Sequence, residues 1–147
     1  MKARKQIFVP GDRTTTRHQV AATVLFADIC GSTQLFEEYG NWQARQIESR
    51  ILELLKGKTA EFDGTVIKTI GDEIMSRFPD AERAMNAACE MQTVIKDDSY
   101  LMEFNISIKI GLQHGPVLVE QDDLFGDAVN VAARMVSLAK ADQIITT

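Results

Sequence analysis

The chain has 147 residues and a mass of 16.4 kDa, a size that suits one domain and excludes a second large core. Hydrophobic residues make up 45% and charged residues 25% of the sequence, with 3 Pro and 9 Gly, which excludes a disordered or fibrous chain. The net charge is −5 although five basic residues fall within the first 17 positions, so the rest of the chain is strongly acidic and we expect no nucleic-acid partner.

The chain begins with a segment, residues 1–19, that shows no sustained hydrophobic period. We predict that it is a linker or an N-terminal arm and that residues 20–147 form the domain. The two cysteines, Cys30 and Cys89, lack the C-x-x-C spacing of a metal or redox motif, so we expect both to be reduced and buried. This use of cysteine predicts a cytoplasmic protein or the cytosolic part of a membrane-anchored one.

The first half of the domain predicts a central strand, a long helix and a hairpin. The strand is apolar on both faces, and Asp28 is its sole charge, near its end. Gly71-Asp72 forms the turn of the hairpin, so Asp72 lies at the hairpin tip. The predicted elements are a strand over 20–29, a helix over 33–62 that is broken near Gly40, and hairpin strands over 65–70 and 73–78.

The second half predicts a helix, two strands, another helix and a last strand. Gly115-Pro116 is expected to turn the chain back between the two strands, and Asp127 is expected to cap the helix that follows. The predicted elements are a helix from Asp80 to about Asp97, strands over 104–112 and 117–119, a helix from Ala128 to about Ala139, and a strand beginning at Ile144.

The order of these elements predicts an α+β fold. Through residue 112 the order is βαββαβ, which is the ferredoxin-like arrangement, and a further strand, helix and strand are added at the C-terminal side. The last predicted strand stops almost as soon as it starts, so we expect the fold to be truncated here and to continue past Thr147.

Asp28 and Asp72 are the first candidates for chemistry, because a βαββ sheet can bring the end of the first strand beside the hairpin tip. Two carboxylates there could hold one or two Mg²⁺ ions, which take few protein oxygens and complete their coordination with water and phosphate. The alternative for either residue alone is structural: Asp28 caps the following turn, and Asp72 is an ordinary turn residue.

The last helix carries a second candidate pair. Asn130 and Arg134 are four residues apart and share a helix face, where an amide and a guanidinium could bind a phosphate or a ribose oxygen. The alternative is an exposed polar face without a ligand. Lys68 lies in a predicted strand and is equally consistent with a solvated strand edge. The sequence contains no Ser-His-Asp or Cys-His set and no phosphate-binding G-x-x-x-x-G-K-[ST] loop.

Three segments resemble the class III nucleotidyl (adenylate/guanylate) cyclase catalytic domain: FADICGST at 26–33, KTIGDEIM at 68–75 and DLFGDAVNVAARM at 123–135. The resemblance covers residues 20–147. It implies a head-to-tail homodimer with active sites at the interface. The N-terminal arm suggests a preceding segment, and we expect an attached sensor or regulatory domain in the full-length protein. The family continues past residue 144 with a helix and a hairpin that carries a triphosphate-contacting lysine, a position that no residue of this chain occupies.

The resemblance also implies residue roles. Asp28 and Asp72, with the carbonyl oxygen of Ile29, correspond to the ligands of two Mg²⁺ or Mn²⁺ ions. Lys68 and Asp123 correspond to the residues that recognise the purine, and a Lys with an Asp favours adenine in this family, whereas a Glu with a smaller polar residue favours guanine. Asn130 and Arg134 correspond to the residues that orient the ribose and stabilise charge at the α-phosphate.

The implied reaction converts ATP to 3′,5′-cyclic AMP and pyrophosphate by in-line attack of the ribose 3′-oxygen on the α-phosphorus, which needs no protein nucleophile. One alternative is a catalytically silent cyclase-like module that dimerises, regulates an attached domain and binds nucleotide without turnover. Another is a diguanylate cyclase, because Gly71-Asp72-Glu73-Ile74 resembles the Gly-Gly-Asp-Glu-Phe turn of that family; the segment 123–134 has no counterpart there.

Overall fold

The computed structural model describes residues 17–147. Residues 1–16 of the predicted arm lie outside the described residues, and the first strand begins at Arg17, three residues before its predicted start. The elements are β1 (Arg17–Ile29), α1 (Ser32–Glu61), β2 (Thr65–Ile70), β3 (Glu73–Phe78), α2 (Ala81–Asp97), a single 3₁₀ turn (Leu101–Glu103), β4 (Ile108–Glu120), β5 (Asp123–Phe125), α3 (Asp127–Leu138) and β6 (Ile144–Ile145).

One mixed sheet has the strand order β2-β3-β1-β4-β5, and the short β6 pairs in parallel with β4. The central strand β1 is antiparallel to β3 on one side and to β4 on the other. The order β2-β3-β1-β4 is that of a ferredoxin-like core, so the predicted α+β fold with its strand-helix-strand addition is confirmed.

Helices cover both faces of the sheet. On one face α1 and α2 pack with residues such as Leu25, Ile51 and Phe78 in the larger apolar cluster. On the other face α3 packs on a smaller cluster that includes Val24 and Phe26. Because successive residues of β1 point into these two clusters, the strand has to be apolar on both sides, which explains the continuous apolar run in the sequence.

Gly111 in β4 allows α3 to lie directly on the sheet. A Cβ atom at this position would come within 2.1 Å of the backbone nitrogen of Val136 in α3. Real Cβ atoms do not approach backbone that closely, so only glycine fits between this strand and this helix. The contact fixes the position of α3, which carries two of the candidate site residues.

The predicted turn at Gly115-Pro116 is wrong. These residues lie inside β4, which runs without interruption from Ile108 to Glu120 and pairs with β1 over all thirteen residues. Proline is accepted because β5 and β6 flank β4 only near its two ends, so a residue without an N–H breaks no strand pairing on that side. The chain turns instead at Gln121-Asp122, where both residues have positive φ, as in a type I′ hairpin.

Two smaller predictions are also corrected, and one predicted helix feature is confirmed. The residue at the N-cap of α3 is Gly126, not Asp127. Asp127 lies in the first helical turn, where the helix dipole stabilises its negative charge. Neither cysteine is fully buried, contrary to the prediction: Cys89 is exposed and Cys30 is partly buried. Both carry free thiols. The helix break at Gly40 is present as predicted, and Asp80, where the second helix is predicted to begin, caps α2 with its side chain.

Candidate active site

The end of the central strand places Asp28 beside the β2–β3 hairpin. Asp28 is the penultimate residue of β1, and its register partner in β3 is Glu73. Asp72 immediately precedes Glu73 and occupies the hairpin turn after Gly71, whose φ of +62° makes this tight connection possible. The predicted hairpin tip is therefore confirmed, and the fold brings Asp28 and Asp72 next to each other.

The two carboxyl groups lie within interaction distance of each other, so their negative charges repel and a cation between them would be stabilised. Partial burial raises the pKa of Asp28 above its usual value of 3.8, and the charge of Asp72 raises it further. The N–H of Ile29 donates to the Asp28 carboxylate and acts in the opposite direction. This arrangement favours a bound positive charge.

Two more charged residues adjoin this pair. Burial, followed by repulsion from Asp28 and Asp72, raises the pKa of Glu73 to about 6. Lys109 is the register partner of Asp28 on the β4 side, and its charge lowers the pKa of both Asp28 and Glu73. The side chains thus form a charged row across three neighbouring strands.

The oxygen ligands in this row suit a magnesium-like ion, but they supply only part of its coordination. Residues 17–147 contain no group of three or more His, Cys, Asp or Glu side chains arranged to hold a metal ion. Asp28 and Asp72 supply oxygen ligands, and Ile29, the last residue of β1, is adjacent in the chain. Two carboxylates and a carbonyl leave most coordination positions to water and phosphate, which is the usual situation for Mg²⁺ in proteins.

Lys68 and Asp123 come from opposite edge strands of the sheet, β2 and β5. The Nζ atom of Lys68 donates to Oδ2 of Asp123 at 2.9 Å, so the sheet has to curl until its outer strands meet. The other carboxylate oxygen of Asp123 accepts from the N–H of Leu124. The hydrogen bond from Lys68 lowers the pKa of Asp123, and the pair offers a donor beside an acceptor at a partly exposed surface.

Asn130 and Arg134 project from α3 and are both exposed. Their four-residue spacing on a regular helix puts them on one face, as predicted. Within the described part of the chain, the ion pairs do not include Arg134, and no hydrogen bond joins either side chain to Asp28 or Asp72. A single chain therefore brings together the two aspartates and, separately, Lys68 with Asp123.

Sequence reasoning missed the other charges around the aspartate pair. A cleft of about 490 Å³ beside Asp72 is lined by residues of the β2–β3 turn and of α1, among them Arg45 and Glu48. Burial and the charge of Asp72 raise the pKa of Glu48, whereas Arg45 lowers it. The alternation Ile108-Lys109-Ile110 signals that Lys109 faces away from the larger core, but only the strand register shows that it faces Asp28.

The fold and the site share the features of one class of protein. These features are a ferredoxin-like sheet, an aspartate pair at the end of the central strand, and a lysine–aspartate pair that joins the outer strands. The family model described as "Adenylate and Guanylate cyclase catalytic domain" matches residues 14–147. The chain therefore belongs to the class III adenylate and guanylate cyclase catalytic domains.

Individual relatives agree with this family. A pH-sensitive adenylate cyclase of Mycobacterium tuberculosis is 29% identical over 123 residues, which make up 84% of this chain and 30% of the relative. The catalytic core of a rhodopsin-guanylyl cyclase with converted specificity, solved in complex with ATPαS, is 27% identical with a TM-score of 0.80, covering 89% of this chain and 79% of that one. A non-canonical dimeric guanylyl cyclase domain from the aquatic fungus Blastocladiella emersonii is 26% identical with a TM-score of 0.77, covering 88% of this chain and 81% of that one.

The chain spans less than a third of the length of that curated mycobacterial relative. In the range 17–147, none of the helices combines the length and the apolar character that crossing a membrane requires.

Proposed function

We propose that this domain is the catalytic unit of an adenylate cyclase, which converts ATP to 3′,5′-cyclic AMP and pyrophosphate at composite sites between two copies of the chain. The observation that carries the proposal is the convergence of Asp28 and Asp72 at the end of β1, within a family of nucleotide cyclases. Relatives named adenylate cyclase, among them those of M. tuberculosis and Streptomyces coelicolor, favour ATP as the substrate.

Asp28 and Asp72, with the Ile29 carbonyl, form the metal half of the proposed site and hold two Mg²⁺ or Mn²⁺ ions. Bound there, divalent ions would lower the pKa of the ribose 3′-hydroxyl and neutralise charge on the phosphates. The aspartates contribute by presenting carboxylate oxygens from a strand end and a tight turn, so little reorganisation is needed when a cation arrives.

Lys68 and Asp123 form the purine half of the proposed site. The edge of adenine presents an acceptor, N1, beside a donor, the N6 amine. Lys68 can donate to N1 while Asp123 accepts from N6, so the purine replaces the hydrogen bond that now joins the two side chains at 2.9 Å. The ordinary pKa of an aspartate, 3.8, lies well below neutral pH, so the carboxylate of Asp123 is available as an acceptor.

Asn130 and Arg134 belong, in this proposal, to the same half as the purine pair and act on the nucleotide held by the metal half of the partner protomer. Asn130 orients the ribose, and Arg134 stabilises the negative charge that develops at the α-phosphate. Their exposure on α3 supports this role, because a side chain that acts across an interface has to project from its own chain.

The surface near the purine half has the character of an interface. Ile70 in β2 and Phe125 in β5 are 48% and 47% exposed, and each is two residues away from a member of the purine pair. Apolar side chains surrounded by polar groups are a usual composition of protein–protein interfaces, so these two residues support a partner-covered surface here. A second copy of the chain in head-to-tail orientation would cover them and complete each site.

The remaining partners follow from the same assignment. The relatives are longer than this chain, which supports an attached sensor or regulatory domain in the full-length protein. A substrate such as ATP favours a cytoplasmic domain, whether free or attached to a membrane protein. The acidic composition argues against a nucleic-acid partner.

The test is cyclic AMP formation from ATP with Mg²⁺ or Mn²⁺. Asp28→Asn and Asp72→Asn are each expected to lower the rate by roughly 10²–10³-fold, as loss of a preorganised charged group usually does. Asp97→Asn, an exposed aspartate at the end of α2, is the matched control and should retain the wild-type rate. Unchanged activity in both site variants would contradict the proposal, and nucleotide binding without turnover by the wild-type chain would favour the silent module.

A further inference from the structure

Lys109 has a position that the proposed mechanism does not use. It lies in β4 directly opposite Asp28 in the strand register, while Glu73 lies opposite Asp28 on the β3 side. Directly paired residues of antiparallel strands project to the same face, so Lys109, Asp28 and Glu73 form one row, and Asp72 adjoins it in the turn. Three carboxylates and one ammonium group therefore share a partly buried region at the end of β1.

The lysine interacts with these carboxylates at a distance rather than by contact. Its charge acts on both Asp28 and Glu73. Nevertheless, among residues 17–147 the ion pairs with an N···O distance of 4.0 Å or less do not include Lys109. The ammonium group thus offsets repulsion among the carboxylates while it leaves their oxygens accessible to another cation.

We propose that Lys109 is a positioning residue, a tethered cation that holds the Asp28–Asp72–Glu73 cluster together in the absence of metal and that opposes a divalent ion when one binds. This inference rests on the proposed metal-binding role of Asp28 and Asp72. The two effects of Lys109 have the same origin, because a fixed positive charge attracts the carboxylates and repels the incoming ion.

The sign of the effect makes the inference testable. Neutralising Lys109 removes a repulsion from the bound ion, so affinity for Mn²⁺ should increase by roughly five- to tenfold. The same change leaves three carboxylates without compensation, so the metal-free protein should melt at a lower temperature. Damage to the fold could lower affinity for the ion but would not raise it.

The experiment titrates Mn²⁺ into the protein without nucleotide, follows the free ion by electron paramagnetic resonance, and records thermal unfolding in EDTA. The variants are Lys109→Gln, the charge-conserving Lys109→Arg, and Lys140→Gln, which removes the same charge from an exposed position outside the site. We expect tighter Mn²⁺ binding and a lower melting temperature for Lys109→Gln only. Adding Asp28→Asn to Lys109→Gln should recover part of the lost thermal stability.

The outcomes separate this inference from the proposed function. Loss of Mn²⁺ binding in Asp28→Asn, together with unchanged or weaker binding in Lys109→Gln, would overturn the role of Lys109 and leave the metal site intact. Wild-type binding in Asp28→Asn, or no binding by the wild-type chain, would overturn both. An equal increase in affinity in Lys140→Gln would also overturn the inference, because the effect would then come from net charge alone.

Discussion

At the scale of single residues, the lysine–aspartate pair shows how a site can be prepared before its ligand arrives. Lys68 and Asp123 hold each other at 2.9 Å across two edge strands. An exposed ion pair of this kind contributes little to stability, so its replacement by a ligand that satisfies both groups costs little. In the proposed role of this pair, specificity depends on which purine edge matches the donor and the acceptor at this spacing.

The first prediction concerns this purine pair. The double variant Lys68→Glu with Asp123→Cys replaces the donor by an acceptor and removes the carboxylate, so the ratio of kcat/KM for ATP to that for GTP should fall by roughly tenfold or more. Steady-state rates with each nucleotide measure the ratio, and thermal unfolding shows whether the variant is folded. Unchanged selectivity for ATP in a folded double variant would refute the assignment of these two residues.

The second prediction concerns a residue outside the site. Asp98, whose side chain is 6% exposed, accepts a hydrogen bond at 3.1 Å from Nε of Arg50 in α1 and one at 3.1 Å from the N–H of Leu101. The bond from Arg50 is the main reason that the pKa of Asp98 lies below its usual 3.8. Asp98→Asn should lower the free energy of unfolding at pH 7 by roughly 1–3 kcal/mol, the usual value for hydrogen bonds to charged groups.

The pH dependence of this effect has a definite sign. Because the pKa is lower in the folded state, the contribution of Asp98 is complete above its usual pKa of 3.8 and disappears as the pH falls through the folded value. Urea unfolding from pH 7 to pH 2.5 should therefore show the difference between wild type and Asp98→Asn shrinking at the acidic end. A constant difference across this range would contradict the account, and Asp97→Asn provides the neighbouring exposed control.

At the scale of elements, the contact between α3 and β4 depends on the absence of a side chain at Gly111. The backbone of Val136 occupies the space that a Cβ atom at Gly111 would need. Any larger residue therefore pushes α3 away from the sheet, and Asn130 and Arg134 move with the helix.

The third prediction tests this contact. Gly111→Ala should lower the free energy of unfolding by roughly 1–3 kcal/mol, the usual cost of overpacking, and should reduce cyclase activity in the protein that remains folded. Gly57→Ala is the matched control, since nothing lies within 4 Å of a Cβ atom there and alanine favours the α1 helix. A Gly111→Ala variant as stable as wild type would show that α3 is not held in this way.

The sequence predicts those elements whose signals are local. A continuous apolar run identifies β1, and the spacing of apolar residues identifies α1 with its break at Gly40. The turn chemistry at Gly71-Asp72 correctly predicts the hairpin tip. Each signal comes from neighbouring residues, so no tertiary information is needed.

Where the structure depends on tertiary context, the local sequence pattern gives a wrong prediction or none. Gly115-Pro116 has the composition of a turn, yet pairing with the whole length of β1 keeps it in a strand. Gln121-Asp122 lacks the glycine that a type I′ turn favours and still forms the hairpin. The proximity of Lys109 to Asp28 depends on strand register, which the sequence does not reveal.

At the scale of the whole molecule, the candidate residues fall into two halves. The aspartate pair lies at the end of the central strand, and the purine pair joins the outer strands. The resemblance to cyclases predicts both groups from the sequence, but the roles of these residues stay predictions. The proposed function requires two copies of the chain, each of which contributes one half to every site.

The most direct test of this central claim is complementation between two inactive variants. Asp72→Asn removes the metal half and Arg134→Ala removes the other half, so each homodimer should produce almost no cyclic AMP. When the two are co-expressed in equal amounts, half of the dimers are mixed and each contains one intact site, so about a quarter of the wild-type activity should return. Two folded variants that form mixed dimers and still produce no cyclic AMP would contradict the account.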